Sequence, residues 1–397
     1  MSDYTVRPIT EAERRPALDV LLRSLHRPAV PDGRWAAVAD AWAADGTTGA
    51  FDGDRVIGVA CSAATTMTVP GGGTVPMAAV DGVGVSADRT RRGVLTAMMG
   101  AQLAEFAERG YVVAGLHASE AVIYGRFGYG VAVRAATVRA ELPVRVRDGI
   151  AAPGAVALLD GEEAIAAAPA IYERIGQHRP GMITRPARWW AISSDWHLRE
   201  EGFRLAVHTG PGGADGFAVL RTTPQDRGVR LEVRDLHAGN AAAVAGLWRF
   251  LLSIDLVTTV IAPDRPVDEE VGVLLTDPRR ARTVAIRDHL WLRLVDVPAA
   301  LAARTYGTAE PVTLEVHDRM LPANGGRYRL GPGGAERTEA PADLHLDAET
   351  LAMLYLGEWQ PATLALAGRI TGADENVLAR TAALFATTQR PWCGTPF

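Results

Sequence analysis

A strand that runs into an arginine-rich turn and then into a long helix is the feature that most restricts the fold of this 397-residue chain. The strand ends at Val85, three arginines follow, and an apolar pattern of helical period begins at Gly93. The first N–H groups of a helix lack partners inside the helix, and the helix dipole adds partial positive charge there. The turn is therefore a candidate seat for a pyrophosphate group, which Gly93 would allow close to the backbone. Taken alone, it also fits a nucleotide site or a plain connection between strand and helix.

Helical and extended patterns alternate through the N-terminal third of the chain. The turn Asp52-Gly53-Asp54 predicts a hairpin, and Gly110 ends the long helix. The predicted helices are residues 11–25, 33–44, 93–108 and 120–127, and the predicted strands are a hairpin over 48–61, a separate strand over 63–69, and strands over 75–85 and 111–117.

A similar order returns in the middle of the chain. We predict helices over residues 162–175 and 188–195, a hairpin of 203–208 with 216–222, a strand over 229–236 and a helix over 240–252. Pro169 is expected to kink or restart the first of these helices. After Leu236 the chain continues with His237-Ala238-Gly239-Asn240, which lacks the flanking arginines. The middle of the chain is therefore interpreted as a degenerate copy of the first part that binds no cofactor. The last hundred or so residues have an α+β pattern, with a hairpin of 312–316 and 327–330.

Composition excludes several classes of function. The net charge of −5 provides no basic surface for nucleic acid or an anionic membrane. The N-terminus has no signal-peptide pattern and no apolar run reaches membrane-spanning length, so we expect a cytoplasmic protein. Cys61 and Cys393 show neither disulfide-framework nor zinc spacing, and no HExxH pair occurs, so no metal is expected.

A second segment, Leu116-His117-Ala118-Ser119-Glu120-Ala121-Val122-Ile123-Tyr124-Gly125-Arg126-Phe127-Gly128-Tyr129, completes a recognisable pair. Together with the turn, it resembles motifs A and B of the GNAT superfamily, which read (R or Q)-x-x-G-x-(G or A) and then Y-x-x-x-G-aromatic. Thr90 stands where Arg or Gln is usual, and Leu95 replaces the small residue. The combination RRGVLTAMM with LHASE and IYGRFGYG is similar to the Eis (enhanced intracellular survival) family. The C-terminal run from Leu351 to Gly357, with Phe385, resembles a sterol-carrier-protein-like domain.

This resemblance covers the whole chain and implies an α/β (α+β mixed) fold. It implies two tandem GNAT folds, the second degenerate, followed by a sterol-carrier-protein-like α+β domain. The expected domains are residues 1–136, which bind acetyl-CoA, 137–290, which bind no cofactor, and 291–397, which carry a catalytic C-terminal tail. The resemblance also implies a homo-oligomer, a hexamer.

The resemblance further implies N-acetyl transfer from acetyl-CoA to a primary amine by direct attack in a ternary complex. Aminoglycosides, polyamines and lysine side chains are the implied acceptors. Tyr124 would be the general acid, and the terminal carboxylate of Phe397 the base. A tyrosine has an ordinary pKa near about 10 and can return a proton to the departing thiolate. The residues implied to contact acetyl-CoA are Val83, Gly84, Val85, Arg91, Arg92, Gly93, Val94, Leu95, Thr96, Ser119 and Glu120.

Several alternatives remain open. Tyr124 could be a packing residue, and His117 is more readily a hydrogen-bonded core histidine on a buried strand than a general base. Cys393 is not expected to be a nucleophile, because no partner motif accompanies it. Trp189, Trp190 and Trp196 are interpreted as core or interface aromatics. The whole chain could instead be a lipid- or partner-binding protein that works through its C-terminal domain, or a regulatory acetyltransferase that acts on proteins.

Overall fold

A computed structural model describes residues 3–39, 42, 46–191, 198 and 202–397 of the chain. The chain divides into two compact units. The first unit comprises Met1–Ala132, Leu290–Thr388 and Pro396–Phe397, and the second comprises Val133–His289 and Gln389–Thr395. Trp196 and residues 192–195 of the helix predicted over 188–195 lie outside the described residues. None of the helices in the described part is long and apolar enough to cross a membrane.

The N-terminal part of the first unit is a mostly antiparallel sheet with helices on it. Strands β1 to β5 pair in chain order, and only the last pair, β4 with β5, is parallel. Residues 291–294 pair antiparallel with the free edge of β5. The elements are β1 (Thr5–Pro8), a 3-10 turn (Glu11–Glu13), α1 (Arg14–Ser24), α2 (Asp32–Ala39), β2 (Thr47–Asp52), β3 (Arg55–Thr68), β4 (Thr74–Val85), α3 (Val94–Glu108), β5 (Val113–Leu116), α4 (Ala121–Tyr124) and a 3-10 turn (Gly125–Phe127).

The predicted break in β3 is wrong. We predicted a hairpin over 48–61 and then a separate strand over 63–69, but β3 is a single strand from Arg55 to Thr68. A register shift between Cys61 and Ser62 lets β3 remain paired with β4 on both sides of the irregularity. An extra residue in a ladder bends and twists a strand without ending it.

Two glycines of β4 allow α1 to lie close to the sheet. A Cβ atom on Gly82 would lie 2.7 Å from Leu21 Cδ2, and one on Gly84 would collide with the Ser24 hydroxyl. Leu21 is buried in one apolar cluster with Leu18, which is the reason for the close approach. These glycines are therefore required by packing at the end of the strand that leads into the arginine-rich turn.

The second unit repeats the arrangement of an antiparallel sheet with one parallel pair. Its strand order is β7-β8-β9-β10-β11-β6, in which β10 and β11 are parallel. Apolar residues of α7 and of β9 to β11 form its main core. The elements are β6 (Gly130–Glu141), β7 (Ala155–Leu159), α5 (Gly161–Ile175), α6 (Ala187–Trp189), β8 (Arg204–Gly210), β9 (Gly213–Pro224), β10 (Val229–Ala238), α7 (Ala241–Leu251), β11 (Val257–Arg265), α8 (Val271–Leu274) and β12 (Ala281–Leu294).

Of the two effects predicted for Pro169, a kink or a restart of the helix, the restart does not occur, because α5 runs unbroken from Gly161 to Ile175. Proline removes one hydrogen bond and strains the preceding turn. Buried side chains on both sides of Pro169, namely Ala164, Ala168, Ile171 and Tyr172, pack into one core cluster and hold the helix together across it.

The C-terminal part of the first unit is a small sheet with helices. Its order is β15-β14-β13-β16, and β13 and β16 are parallel. The predicted hairpin of 312–316 with 327–330 is confirmed as β13 and β14, whereas β15, α9 and α11 were not predicted. The elements are α9 (Val297–Ala303), β13 (Val312–His317), β14 (Gly326–Gly331), β15 (Gly334–Arg337), β16 (Leu344–Asp347), α10 (Ala348–Tyr355), α11 (Pro361–Leu366) and α12 (Glu375–Phe385).

Candidate active site

The parallel pair in the first unit separates before β4 ends. β5 pairs with β4 only from Met77 to Val80, and β4 then continues to Val85 beside β3. Among the described residues, no strand pairs with the other edge of Val83, Gly84 and Val85. Alternate backbone groups of a strand face each of its edges. This edge can therefore accept an extended chain of amides, as an added peptide strand would.

The turn after β4 has an exposed, uncapped helix start. Gly93 is the N-cap of α3 with a left-handed φ of 83°, and no side chain caps the helix. Arg91 has a φ of 61°, so two residues of this short turn adopt the left-handed conformation. The N–H groups of Val94, Leu95 and Thr96 are among the first of the helix and have no carbonyl partner within it. A turn of backbone donors at a helix start binds phosphate groups.

The arginines of the turn differ in their partners. Arg89 pairs with Asp52, and Arg55 pairs with Asp88 at 3.2 Å, so these charges are balanced locally. Arg91 and Arg92 are exposed, and no ion pair of theirs occurs within the described part of the chain. Their charges add to the helix dipole at the start of α3 and favour an anion there.

Tyr124 is the last residue of α4 and is only 6% exposed. Its ring lies 6.2 Å from that of Tyr129, in an apolar cluster against which Val83 and Leu95 also pack. Burial raises the pKa of the Tyr124 hydroxyl above its ordinary value, and the nearby charge of Glu120 raises it further. Val83 of the strand edge, Leu95 of the helix start and Tyr124 thus share one apolar cluster, and Tyr124 is neutral at physiological pH.

Ser119 and Glu120 lie between β5 and α4 and are both exposed. They are near enough in sequence to border the site, and Glu120 is the N-cap of α4. Their contact with acetyl-CoA stays a prediction.

His117 is not the buried strand histidine that we expected. β5 ends at Leu116, so His117 follows the strand and is half-buried. Its ring packs edge-on against the ring of Phe397, with centroids 4.6 Å apart. Phe397, the last residue, therefore lies at the end of β5 beside His117, which precedes Tyr124 by seven residues in the chain. The catalytic role of its carboxylate remains a prediction.

Sequence reasoning missed one neighbour of the site. A Cβ atom on Gly125 would lie 2.9 Å from the Glu349 carboxylate, so α10 abuts the residue after Tyr124. Arg369 pairs with that carboxylate at 2.9 Å. No local signal points to Glu349, because it lies more than two hundred residues further along the chain.

Cys393, Trp189 and Trp190 lie at buried or half-buried positions of the second unit. Cys393 is fully buried, and burial raises the pKa of its thiol to about 12, so the thiolate is scarce at neutral pH. Trp190 is buried and Trp189 half-buried within the second unit, where their rings are 5.0 Å apart.

Three family models match the chain. Residues 5–132 match an acetyltransferase (GNAT) domain, residues 181–294 match a second acetyltransferase (GNAT) domain, and residues 297–394 match a sterol carrier protein domain. The predicted fold class of two GNAT domains and a sterol-carrier-like domain is thereby confirmed.

Curated relatives and solved structures agree with these matches. An uncharacterized N-acetyltransferase of Streptomyces griseus is 38% identical over 371 residues, which are 88% of this chain and 89% of the relative. The N-acetyltransferase Eis of Mycobacterium tuberculosis is 37% identical over 364 residues, 85% of each chain. The crystal structure of Eis1 from Mycobacterium abscessus superimposes with a TM-score of 0.89 at 36% identity, covering 99% of this chain and 100% of that one. The fold, the site and these relatives together show that the chain belongs to the Eis family of GNAT N-acetyltransferases.

Proposed function

We propose that this acetyltransferase transfers acetyl from acetyl-CoA to a primary amine at the site in its first GNAT domain, by direct attack in a ternary complex. The observation that carries the proposal is the uncapped start of α3, which lies beside the unpaired edge of β4 and in the same apolar cluster as Tyr124. The helix start suits the pyrophosphate, the strand edge suits the pantetheine arm, and Tyr124 suits the reacting thioester.

The co-substrate contacts follow from this arrangement. Arg91, Arg92 and the N–H groups from Gly93 to Thr96 would hold the pyrophosphate, because they offer charge and unsatisfied donors together. Val83, Gly84 and Val85 would pair with the pantetheine amides, and Ser119 and Glu120 would border the same chain.

The proposed chemistry uses one proton donor and one acceptor. The amine nitrogen forms a bond to the acetyl carbon while the bond from carbon to sulfur breaks, and the neutral Tyr124 hydroxyl gives its proton to the departing thiolate. The α-carboxylate of Phe397, with an ordinary pKa of about 3.3 to 3.7, is ionised and takes the amine proton directly or through water. A backbone N–H of residues 83–85 would stabilise the carbonyl oxygen.

We further propose that only the first of three domains, residues 1–136, binds acetyl-CoA. In the domain over 137–290, the helix that corresponds to α3 is α7, and its start is capped: the Asn240 side chain accepts from Ala243 N–H at 2.9 Å. Asn240 also donates to the Asp215 carboxylate at 2.8 Å. A satisfied donor and a nearby negative charge both disfavour a pyrophosphate. The third domain spans 291–397.

The acceptors that we propose are aminoglycosides, polyamines or lysine side chains, and the assembly that we propose is a homohexamer. Light scattering of the purified enzyme tests the latter, since a hexamer has six times the mass of the chain. The acceptor requires a direct assay.

A panel of primary amines, assayed by release of the CoA thiol and by mass spectrometry of the products, tests the function. We expect amine-dependent CoA release with one or more acetyl groups on the product, and none from Gly93→Glu. If no amine supports release while the protein binds lipid tightly, the sterol-carrier-like domain is the working part and our proposal is wrong.

A further inference from the structure

The tail that precedes the C-terminus is held in the second unit by its backbone. Trp392 N–H donates to Pro180 O at 2.8 Å, and Arg390 N–H donates to the Asp268 carboxylate at 3.3 Å. The Trp392 indole N–H donates to Asp264 O at 2.8 Å. Residues 391–395 are all buried. A tail whose backbone and side chains are satisfied in this way is part of the fold of that unit.

The tail lies where β10 and β11 separate. These parallel strands pair only over residues 229–232 and 257–261, and both continue beyond. The Trp392 ring lies 4.8 Å from the ring of His237 on β10. The guanidinium of Arg265 on β11 lies 4.9 Å from the centre of the Trp392 ring. Arg265 also donates to Leu236 O at 2.6 Å. This gap corresponds to the one between β4 and β5 in the first unit, but the protein's own side chains fill it.

Arg185 binds the tail at the same place. Its fully buried guanidinium donates to Gly394 O at 2.7 Å and to Thr395 Oγ1 at 3.0 Å. It also pairs with Asp235 at 2.6 Å, where a register irregularity interrupts the pairing of β10 with β9. The Tyr172 ring lies 4.3 Å from this guanidinium. One buried cation thus joins two tail residues to β10.

The backbone conformation of the tail fits the gap between β10 and β11. Gly394 has a left-handed φ of 62°, and a Cβ atom there would collide with the Trp392 indole. The backbone therefore folds back over the indole only because residue 394 is glycine.

We infer that the second GNAT domain clamps the C-terminal tail, and that Arg185 is a positioning residue for the Phe397 carboxylate. The tail clamp consists of Arg185, Asp235, His237, Asp264 and Arg265. It fixes Thr395, and Phe397 follows after one further residue, Pro396, whose φ is restricted. The inference rests on the proposed role of Phe397 as the base. In this inference the protein's own C-terminal tail, and not a cofactor, occupies the gap between β10 and β11.

Thiol labelling tests the clamp without reference to activity. Cys393 is fully buried in the tail, and Cys61, 2% exposed in β3, reports unfolding of the first unit. In Arg185→Met, and in Gly394→Ala, whose change lies in the tail itself, we expect iodoacetamide to alkylate Cys393 at least about tenfold faster than in the wild type, with Cys61 protected. Arg204→Met is the matched control, because it breaks an exposed ion pair with Asp160 in the same unit, 2.6 Å long, that does not touch the tail.

Kinetics then test the positioning role. Because a misplacement of about 1 Å can cost about 10²-fold, kcat should fall by about tenfold or more while the KM for acetyl-CoA stays within about twofold. In enzyme that already lacks Phe397, Arg185→Met should reduce kcat no further, since there is then no Phe397 carboxylate left for Arg185 to position.

Each outcome separates the clamp from the proposed function. Cys393 labelling at the wild-type rate in both variants overturns the clamp. Rapid labelling with unchanged kcat overturns the positioning role. If deletion of Phe397 leaves kcat unchanged, the proposed base is wrong, while the labelling still decides the clamp. If Arg185→Met is labelled rapidly at both cysteines, the variant has unfolded, and the labelling and kcat of Gly394→Ala then decide the clamp by the same criteria.

Discussion

The role of Tyr124 makes the sharpest prediction, because the chain contains a matched control. Tyr124→Phe removes one hydroxyl from a ring that is 6% exposed. Loss of a general acid typically costs about 10²- to 10⁴-fold in rate, which is about 2.7 to 5.4 kcal/mol of transition-state stabilisation. We therefore expect kcat to fall by that factor and acetyl-CoA affinity to stay nearly unchanged, since only the proton donor is lost.

Tyr129→Phe is the control for this change. Tyr129 belongs to the same cluster and is fully buried, and its hydroxyl has no hydrogen-bond partner among the described residues. Removing an unpartnered hydroxyl leaves no other group unsatisfied, so stability should change little. This variant should keep wild-type kcat, because its hydroxyl is enclosed and cannot reach a thiolate.

The assay is steady-state CoA release with an accepted amine from pH 6 to 10, together with calorimetric acetyl-CoA binding. Burial raises the pKa of Tyr124, so the acid form persists to at least about pH 10. Deprotonation of Tyr124 should therefore remove less than about half of the rate up to that pH. Equal turnover by Tyr124→Phe and wild type, or equal losses in the two Tyr→Phe variants, would make Tyr124 a packing residue and refute the reasoning.

Three further predictions concern binding, the tail and stability. Calorimetry should find one acetyl-CoA site per chain, and Gly93→Glu should abolish it by placing bulk and negative charge at the helix start; two equivalent sites would contradict the single-site proposal. A tag fused after Phe397 should collapse activity while an N-terminal tag preserves it, and equal rates for two folded, tagged enzymes would remove the carboxylate from the mechanism. Asp318→Ala should destabilise the protein by about 3 to 5 kcal/mol in thermal or urea unfolding, because it leaves Arg293 buried without its carboxylate; the two residues are 2.6 Å apart and are 0% and 1% exposed. The control Asp148→Ala breaks the ion pair with Arg145, whose side chains are 71% (Arg145) and 85% (Asp148) exposed, and should cost under about 1 kcal/mol of unfolding free energy. Equal losses of stability in the two variants would show that burial does not set the cost.

Local patterns in the sequence were sufficient for the elements that form the candidate cofactor site. The helical spacing after Gly93 predicted α3, and Val94, Met98, Leu103 and Phe106 are buried along it. The uncapped start of that helix also follows from the residue type at its N-cap, since glycine has no side chain to cap it. These features depend on residues within one or two turns of one another, so a short window of sequence contains their cause.

Tertiary packing decided the features that local windows predicted wrongly or not at all. β3 continues through Cys61 because β4 pairs with it on both sides of the irregularity, and α5 continues through Pro169 because its buried face packs against the second unit's core. In both cases contacts distant in sequence outweigh a local preference.

The tail shows the same division most clearly. It contains two prolines and two aromatic residues, but nothing within the tail indicates which residues of the protein will bind it. Arg185 and His237 contact the tail only because the folded second unit brings β10 beside residues 389–395. The sequence by itself determined which local shapes the chain adopts. Which surfaces meet was decided by the tertiary structure, because a contact between distant segments depends on the summed packing of all the elements that bring them together.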